Sequence, residues 1–330
     1  MTTGLLILNL GTPDKPERRQ VRKYLCEFLS DKRVINLPSI LRYLLLYGAI
    51  LPFRTPKSAK AYQAIWTDKG SPLLVYSVAL KEKLQDRLGE RAIVALGMRY
   101  GSPSVESALN ELSECDQIII LPLYPQYASA STGSSIEKTL DLLGPKTIIP
   151  NIKLIRDFHT HPAYIQAQAN LIQPFIPDSE FVLFSYHGLP ENQLLVDSCK
   201  FLCKSGCSSE SLLNSGCYRA QCQRTSEALA AALGLEPGQY ANAFQSRLGR
   251  TKWIEPYTDA MLESLAAKGI KHLTIACPSF VADCLETLEE IGIGLNKRWS
   301  KLVGHDLKLV PCLNADDIWV DAILDITNLS

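Results

Sequence analysis

The chain has no surplus of either charge: Lys and Arg total 34, Asp and Glu total 34, in 330 residues. A nucleic-acid binder carries a basic excess, so that class of partner is excluded and a neutral or small amphipathic substrate fits better. A leader is lacking too. Met1-Thr2-Thr3-Gly4 leads straight into an apolar run, with neither a basic stretch nor a small-residue cleavage site, which predicts a cytoplasmic protein. No apolar run makes a convincing bilayer span of about 20 residues; the nearest, Leu37 to Phe53, is shorter and holds Pro38 and Pro52. Disulfides are not expected either. Ten cysteines in a reducing compartment argue for metal binding or burial. What remains, 46% hydrophobic with 21% charged, describes a soluble globular chain long enough for two domains.

Strand and helix signals alternate along it. Leu5 to Leu10 is a continuous apolar run closed by Gly11-Thr12-Pro13, the pattern of a buried parallel strand, with polar Asn9 at its tip. Helical spacing follows over Glu17 to Ser30. Further strands are predicted at Ala92 to Leu96, Gln117 to Leu123, Lys153 to Phe158, Phe181 to Phe184, Gln239 to Ser246, His272 to Ala276 and Leu307 to Pro311. Helices are predicted at Ser104 to Leu112, Ile136 to Leu143, Pro162 to Phe175, Arg224 to Leu233, Asp259 to Lys268, Cys284 to Ile291 and Asp316 to Leu329. Such alternation predicts an α/β protein with two doubly wound parallel sheets. The expected division is 1–156, 157–315 and a closing helix over 316–330. The apolar stretch 37–53, with Arg42 its one charge, reads as a core helix or as an exposed lip over a hydrophobic substrate; the lip is preferred.

Three groups of residues promise chemistry. Strand Phe181 to Phe184 runs into Ser185-Tyr186-His187-Gly188, which delivers an imidazole to the carboxyl end of a strand, where open parallel sheets bind ligands; a satisfied structural histidine is the ordinary alternative. Asp283, Glu286 and Glu290 stand three and four apart, so they share a helix face, as a solvated acidic stripe also would. Cys199, Cys203, Cys207, Cys217 and Cys222 crowd 24 residues of a segment, 197–222, that looks polar and loop-like. Four thiolates at that density suit tetrahedral zinc or an iron-sulfur cluster, and spacing does not separate the two.

Several stretches in fixed order resemble the ferrochelatases, the enzymes that insert ferrous iron into a porphyrin at the last step of haem synthesis. They are Leu5 to Pro13, Leu123-Tyr124-Pro125-Gln126-Tyr127, Thr132 to Ser135, Tyr186-His187-Gly188, Phe244-Gln245-Ser246-Arg247 and Asp283 to Glu289. The resemblance implies a cleft between two similar α/β domains, protoporphyrin IX and Fe(II) as substrates, two protons released and no nucleotide. It implies His187 and Glu286 as catalytic residues contacting the iron, and Asp283 and Glu290 on a metal or proton path. Arg54, Tyr62 and Ser71 would meet the porphyrin propionates, and Tyr124, Tyr127, Arg247 and Trp253 would line the pocket; Trp253 reads equally as a packing residue. Residues 37–53 would form the pocket lip and touch the inner face of the cell membrane. Some members place a histidine where this chain has Cys284. Some hold a [2Fe-2S] cluster, often with a cysteine-rich carboxyl tail that is lacking here, since only Cys312 follows Cys284. Cys199, Cys203, Cys207 and Cys217 are therefore the expected internal ligands, with Cys222 the alternative. The rivals are a coproporphyrin ferrochelatase and a porphyrin or haem carrier without turnover.

Overall fold

Leu5, Leu6, Ile7 and Leu8 are each fully buried, so successive side chains, which point to opposite faces of a strand, are covered on both sides. Each contributes about 1.5–3 kcal/mol by leaving water. In the computed structural model, which describes residues 2–194, 216–247 and 251–330, this strand is the centre of a parallel sheet. The sheet contains β1 (Thr3–Thr12), β2 (Ala92–Gly101), β3 (Gln117–Pro122) and β4 (Asn151–Leu154) in the order β2-β1-β3-β4. Leu5 registers with Val94 on one side and Ile119 on the other. Gly11 is required where it stands: its φ is +106° and a Cβ there would lie 1.7 Å from the Tyr100 carbonyl oxygen.

A second parallel sheet repeats the plan. Here β5 (Phe181–His187), β6 (Tyr240–Gln245), β7 (Leu273–Ala276) and β8 (Lys308–Leu309) stand in the order β6-β5-β7-β8. No repeat is visible in the sequence, yet in both sheets the first strand lies between the second and third. One buried cluster runs through both, from Leu5 and Ile7 to Phe184 and Tyr186. Hydrogen bonds cross between the halves as well: Gln126 Nε2 donates to Thr225 Oγ1 at 3.0 Å and the Tyr127 N–H to Gln221 Oε1 at 2.6 Å. The last helix, Asp317–Thr327, buries Trp319 against Phe158 and Tyr164, and Lys83 pairs with Asp317 at 2.8 Å.

The helices depart from expectation in informative ways. Pro72–Leu88, with Leu80, Leu84 and Leu88 buried four apart, links β1 towards β2 and was not predicted, although Pro72 at its start and Gly89 at its end are ordinary helix limits. Asn296–Val303, which buries Trp299, was also missed. Tyr218–Leu233 begins six residues before the predicted Arg224, because Tyr218, Ala220, Gln221 and Cys222 are all buried. The predicted α-helix from Cys284 is a wide-turned π-helix, Leu285–Leu295. Helical turns continue from Ser39 to Ile65, and Arg54 and Tyr62 sit on the α-helix Leu51–Ile65 despite Pro56.

Residues 37–53 are not core. Ile40 is 74% exposed, Leu44 66% and Phe53 74%, while Leu46 and Leu51 anchor the segment inside. Among the described residues no helix is long and apolar enough to cross a membrane.

Candidate active site

In each sheet the chain winds outward from the first strand in both directions, so the loops after the first and third strands diverge and leave a crevice at that switch point. The two crevices share one cavity, about 1030 Å³ counted out to where it opens to solvent. Asn9, Gly11 and Thr12 reach it from β1, Tyr124 and Gln126 from the loop after β3, His187 from the end of β5, and Ser279, Cys284 and Glu286 from the segment after β7. Tyr24, Phe28 and Tyr62 supply aromatic wall.

His187 is held at four points. Its backbone N–H donates to Ser279 Oγ at 3.1 Å, and its carbonyl accepts from the Tyr218 hydroxyl at 2.8 Å. Its ring lies 6.3 Å from Phe280 and 6.4 Å from Trp253. The Gly188 carbonyl, 2.6 Å from Nδ1, only accepts, so Nδ1 carries a hydrogen and Nε2 is the nitrogen left to exchange a proton with the cavity. Gly188 admits this arrangement because a Cβ there would come within 2.8 Å of the Gln245 carbonyl oxygen.

The acidic residues divide by role. Glu286 lines the cavity, and its carbonyl accepts from Gln245 Nε2 at 2.8 Å, which ties the π-helix to the end of β6. Glu290 lies deeper. Ser246, in the left-handed region at φ 67°, turns both its N–H and its hydroxyl onto the Glu290 carboxylate at 2.7 and 2.5 Å. Burial raises the Glu290 carboxyl above its ordinary range, against the pull of Ser246 and the His187 ring, while Glu286 adds to the rise. Asp283 does not join them. It is 4% exposed, and its oxygens accept from Thr287 Oγ1, the Cys312 N–H and Asn314 Nδ2, so it anchors the start of the π-helix. The expected common face is thus reduced to Glu286 and Glu290. Cys284, on the cavity wall, stays a thiol, since burial and then Glu286 push its ionisation upward.

The remaining predicted residues scatter. Tyr62, Ser71 and Tyr124 line the cavity, with Ser71 accepting from Thr12 at 2.8 Å. Arg54 makes no hydrogen bond or ion pair among the described residues; burial lowers its pKa, while the charge of Glu286 works against that fall. Trp253 backs the His187 ring rather than lining the cavity. Tyr127 lies outside the lining, with the Arg156 guanidinium 5.9 Å from its ring. Arg247 is exposed, pairs with Asp259 at 2.8 Å, covers Tyr257 and is not among the residues that line the cavity. Residue reading missed Gln126, Ser279 and Tyr218. Gln126 is 2% exposed, lines the cavity and leaves Oε1 without a hydrogen-bond partner among the described residues. The signal available for it was a polar residue following an apolar strand end.

The ferrochelatase family model matches residues 2–329. The chain belongs to the ferrochelatase family. It is similar to a ferrochelatase of Legionella pneumophila (strain Lens), 56% identical over 328 residues that cover 99% of both chains. A ferrochelatase of Coxiella burnetii (strain Dugway 5J108-111) is 50% identical, covering 97% of this chain and 91% of the relative. Among solved structures, SirB from Bacillus subtilis with Fe3+ aligns over 99% of this chain and 95% of its own, with a TM-score of 0.55 at 12% identity, which is a likeness of fold.

Of the cysteine segment in this ferrochelatase-family chain, Cys199, Cys203 and Cys207 lie outside the described residues. Cys217 and Cys222 are buried, and Cys222 faces the main core from helix Tyr218–Leu233 with its thiol pushed well up by burial. The expectation of a polar loop therefore fails at Cys222, which a helical packing role explains. Among the described residues no three or more His, Cys, Asp or Glu side chains gather as a metal site.

Proposed function

We propose that the cavity inserts Fe(II) into protoporphyrin IX to give protohaem, releasing two protons, with His187 and Glu286 as the working residues. The observation that carries this is the 2.6 Å contact between His187 Nδ1 and the Gly188 carbonyl: an Nδ1–H committed there leaves Nε2 as the base on a cavity wall that also holds the Glu286 carboxylate. A neutral imidazole and a carboxylate are suited to take the two pyrrole protons. Glu290, whose carboxyl burial raises above its ordinary range, is read as the next proton acceptor after Glu286, one helical turn away in the chain. Iron is substrate and must leave with the porphyrin, so a few protein donors suit it better than a closed cage. Arg54, half-buried and within the electrostatic reach of Glu286, offers a propionate the fork that the described residues leave unused. Tyr24, Phe28 and Tyr62 give the macrocycle aromatic contact.

The division at 156 and 315, the exposed segment 37–53 as a lip resting on the inner face of the cytoplasmic membrane, and the choice of protoporphyrin over coproporphyrin belong to the same reading. So does a [2Fe-2S] cluster on Cys199, Cys203, Cys207 and Cys217. Cys217 is buried at the head of the helix whose Tyr218 holds the His187 carbonyl, which suits a structural or redox-sensing group next to the site. Thiolate donors favour such a cluster over harder ions. Anaerobically purified protein is then reddish, with visible absorption and labile sulfide that Cys203→Ser removes; colourless protein without labile sulfide refutes the cluster.

The decisive assay measures iron insertion with enzyme far below substrate, using protoporphyrin IX and coproporphyrin III side by side. Many turnovers are expected with protoporphyrin. A stop at one equivalent identifies a carrier, and preference for coproporphyrin identifies the other chelatase.

A further inference from the structure

Away from the cavity, the groove between helix Arg18–Ser30 and the segment Ser39–Ile50 combines two chemistries. Arg19, Arg22 and Lys23 line one side, and Tyr43 and Tyr47, stacked 6.2 Å apart, line the other. All five side chains are exposed. Arg19 and Arg22 have no ion-pair partner among the described residues, and Lys23 has only a 3.5 Å contact with Asp14 in which both groups face solvent. One acid, Glu27, also lines the groove, and its carboxylate accepts from the Gly101 N–H at 3.1 Å. On the far side, Ile40, Tyr43, Leu44 and Tyr47 follow the spacing i, i+3, i+4, i+7, so apolar and tyrosyl side chains form one outward stripe beside the basic groups.

We propose that this groove docks the phosphate-bearing headgroups of anionic phospholipids, so that the enzyme settles on negatively charged rather than neutral bilayers. The proposal rests on reading residues 37–53 as a membrane-contacting lip and deepens it. Charge complementarity selects the occupant. Guanidinium forks match phosphodiester oxygens, tyrosines suit the headgroup level, and the exposed Ile40 and Leu44 enter the acyl boundary from the same face. An apolar stripe alone gives weak, reversible attachment, and a basic cluster supplies the second signal. An acidic protein would use the arginines but leave the 74% exposed Ile40 and 66% exposed Leu44 without a partner.

The test is vesicle flotation of the full chain with phosphatidylcholine alone and with phosphatidylcholine mixed with phosphatidylglycerol. The wild-type protein should bind the mixed vesicles more tightly and lose that advantage at high salt. At about fivefold per basic residue near an anionic surface, the triple variant R19Q/R22Q/K23Q should lose roughly 100-fold there. It should bind neutral vesicles as the wild type does, and turn over detergent-dispersed porphyrin unchanged. Leu44→Asp should weaken binding to both vesicle types. Equal wild-type binding to both, with Leu44→Asp still defective, overturns the headgroup site and leaves the lip. Binding to neither overturns both. A lipid-free dimer cross-linked through Arg22→Cys assigns the groove to a second copy and overturns the proposal.

Discussion

The two sheets share a strand order and differ in what their switch points carry. The first presents Asn9, Thr12, Tyr124 and Gln126 to the cavity, which are polar or aromatic groups that carry no charge at neutral pH. The second presents His187 and Glu286, with Glu290 behind them. A framework used twice has therefore been furnished differently: one half gives the cavity neutral hydrogen-bonding groups, and the other gives it the imidazole and carboxylate to which the proposed function assigns the proton transfers. The polar partners follow the same division. Asn9 is held passively, Nδ2 donating to Ser77 Oγ at 3.1 Å, whereas Glu286 and Glu290 are positioned by Gln245 and Ser246 at the end of β6. Neutral dipoles tolerate a hydrophobic ligand at little cost, while buried charge needs partners that hold it.

If that division holds, His187→Ala should lower kcat by roughly 10³-fold while porphyrin binding, followed by fluorescence, stays close to wild type. An active His187→Ala enzyme would end the assignment of chemistry to the second half. Asp283→Ala should instead act on folding. It strands Asn314, Thr287 and the Cys312 N–H, and is expected to cost about 2–4 kcal/mol in denaturant titration.

On the first side, Asp31 offers a sharper probe. Burial alone would raise its pKa, but hydrogen bonds from Ser134, the Arg33 N–H and Tyr100, with the charge of Arg99, outweigh it and lower the pKa. A carboxyl with a depressed folded pKa stabilises above its unfolded value, about 3.9, and loses that contribution as pH falls through the folded value. Asp31→Asn should therefore cost about 1.5–3 kcal/mol at pH 7, and its difference from wild type should shrink below pH 4. A constant difference down to pH 2 removes Asp31 as the cause. Arg54→Lys should raise KM about tenfold with kcat nearly kept, because it loses the two-pronged donor. Arg247→Ala should change KM less than about threefold, its exposed pair with Asp259 being worth at most about 1 kcal/mol.

Six strands were legible because burial writes continuous apolar runs, and they follow the expected sites; β4 (Asn151–Leu154), which is largely exposed, shares only Lys153 and Leu154 with the expected 153–158. The eighth, β8, has only two residues, Lys308–Leu309, where five were expected. Helix Pro72–Leu88 escaped because its apolar residues are interrupted by Lys81, Glu82, Lys83, Asp86 and Arg87 on the outer side. At the cavity, His187 and Glu286 had been singled out by their motifs, and both stand on its lining. The misplacement of Arg247 has a simple origin: a side chain following a strand end can turn outward, and Asp259 draws it there.

Sequence alone determined the α/β alternation, the residues able to accept protons and an apolar segment free of acidic charge, since each follows from local residue type and period. Tertiary structure decided which of those residues meet. Local spacing put Asp283, Glu286 and Glu290 on one α-helical face. Packing instead wound a π-helix, gave Asp283 to the Asn314 loop, aimed Ser246 at Glu290 and left Glu286 on the cavity. The partners responsible lie up to 44 positions away in the chain, and a hydrogen bond over that separation exists only once the strands have been laid side by side.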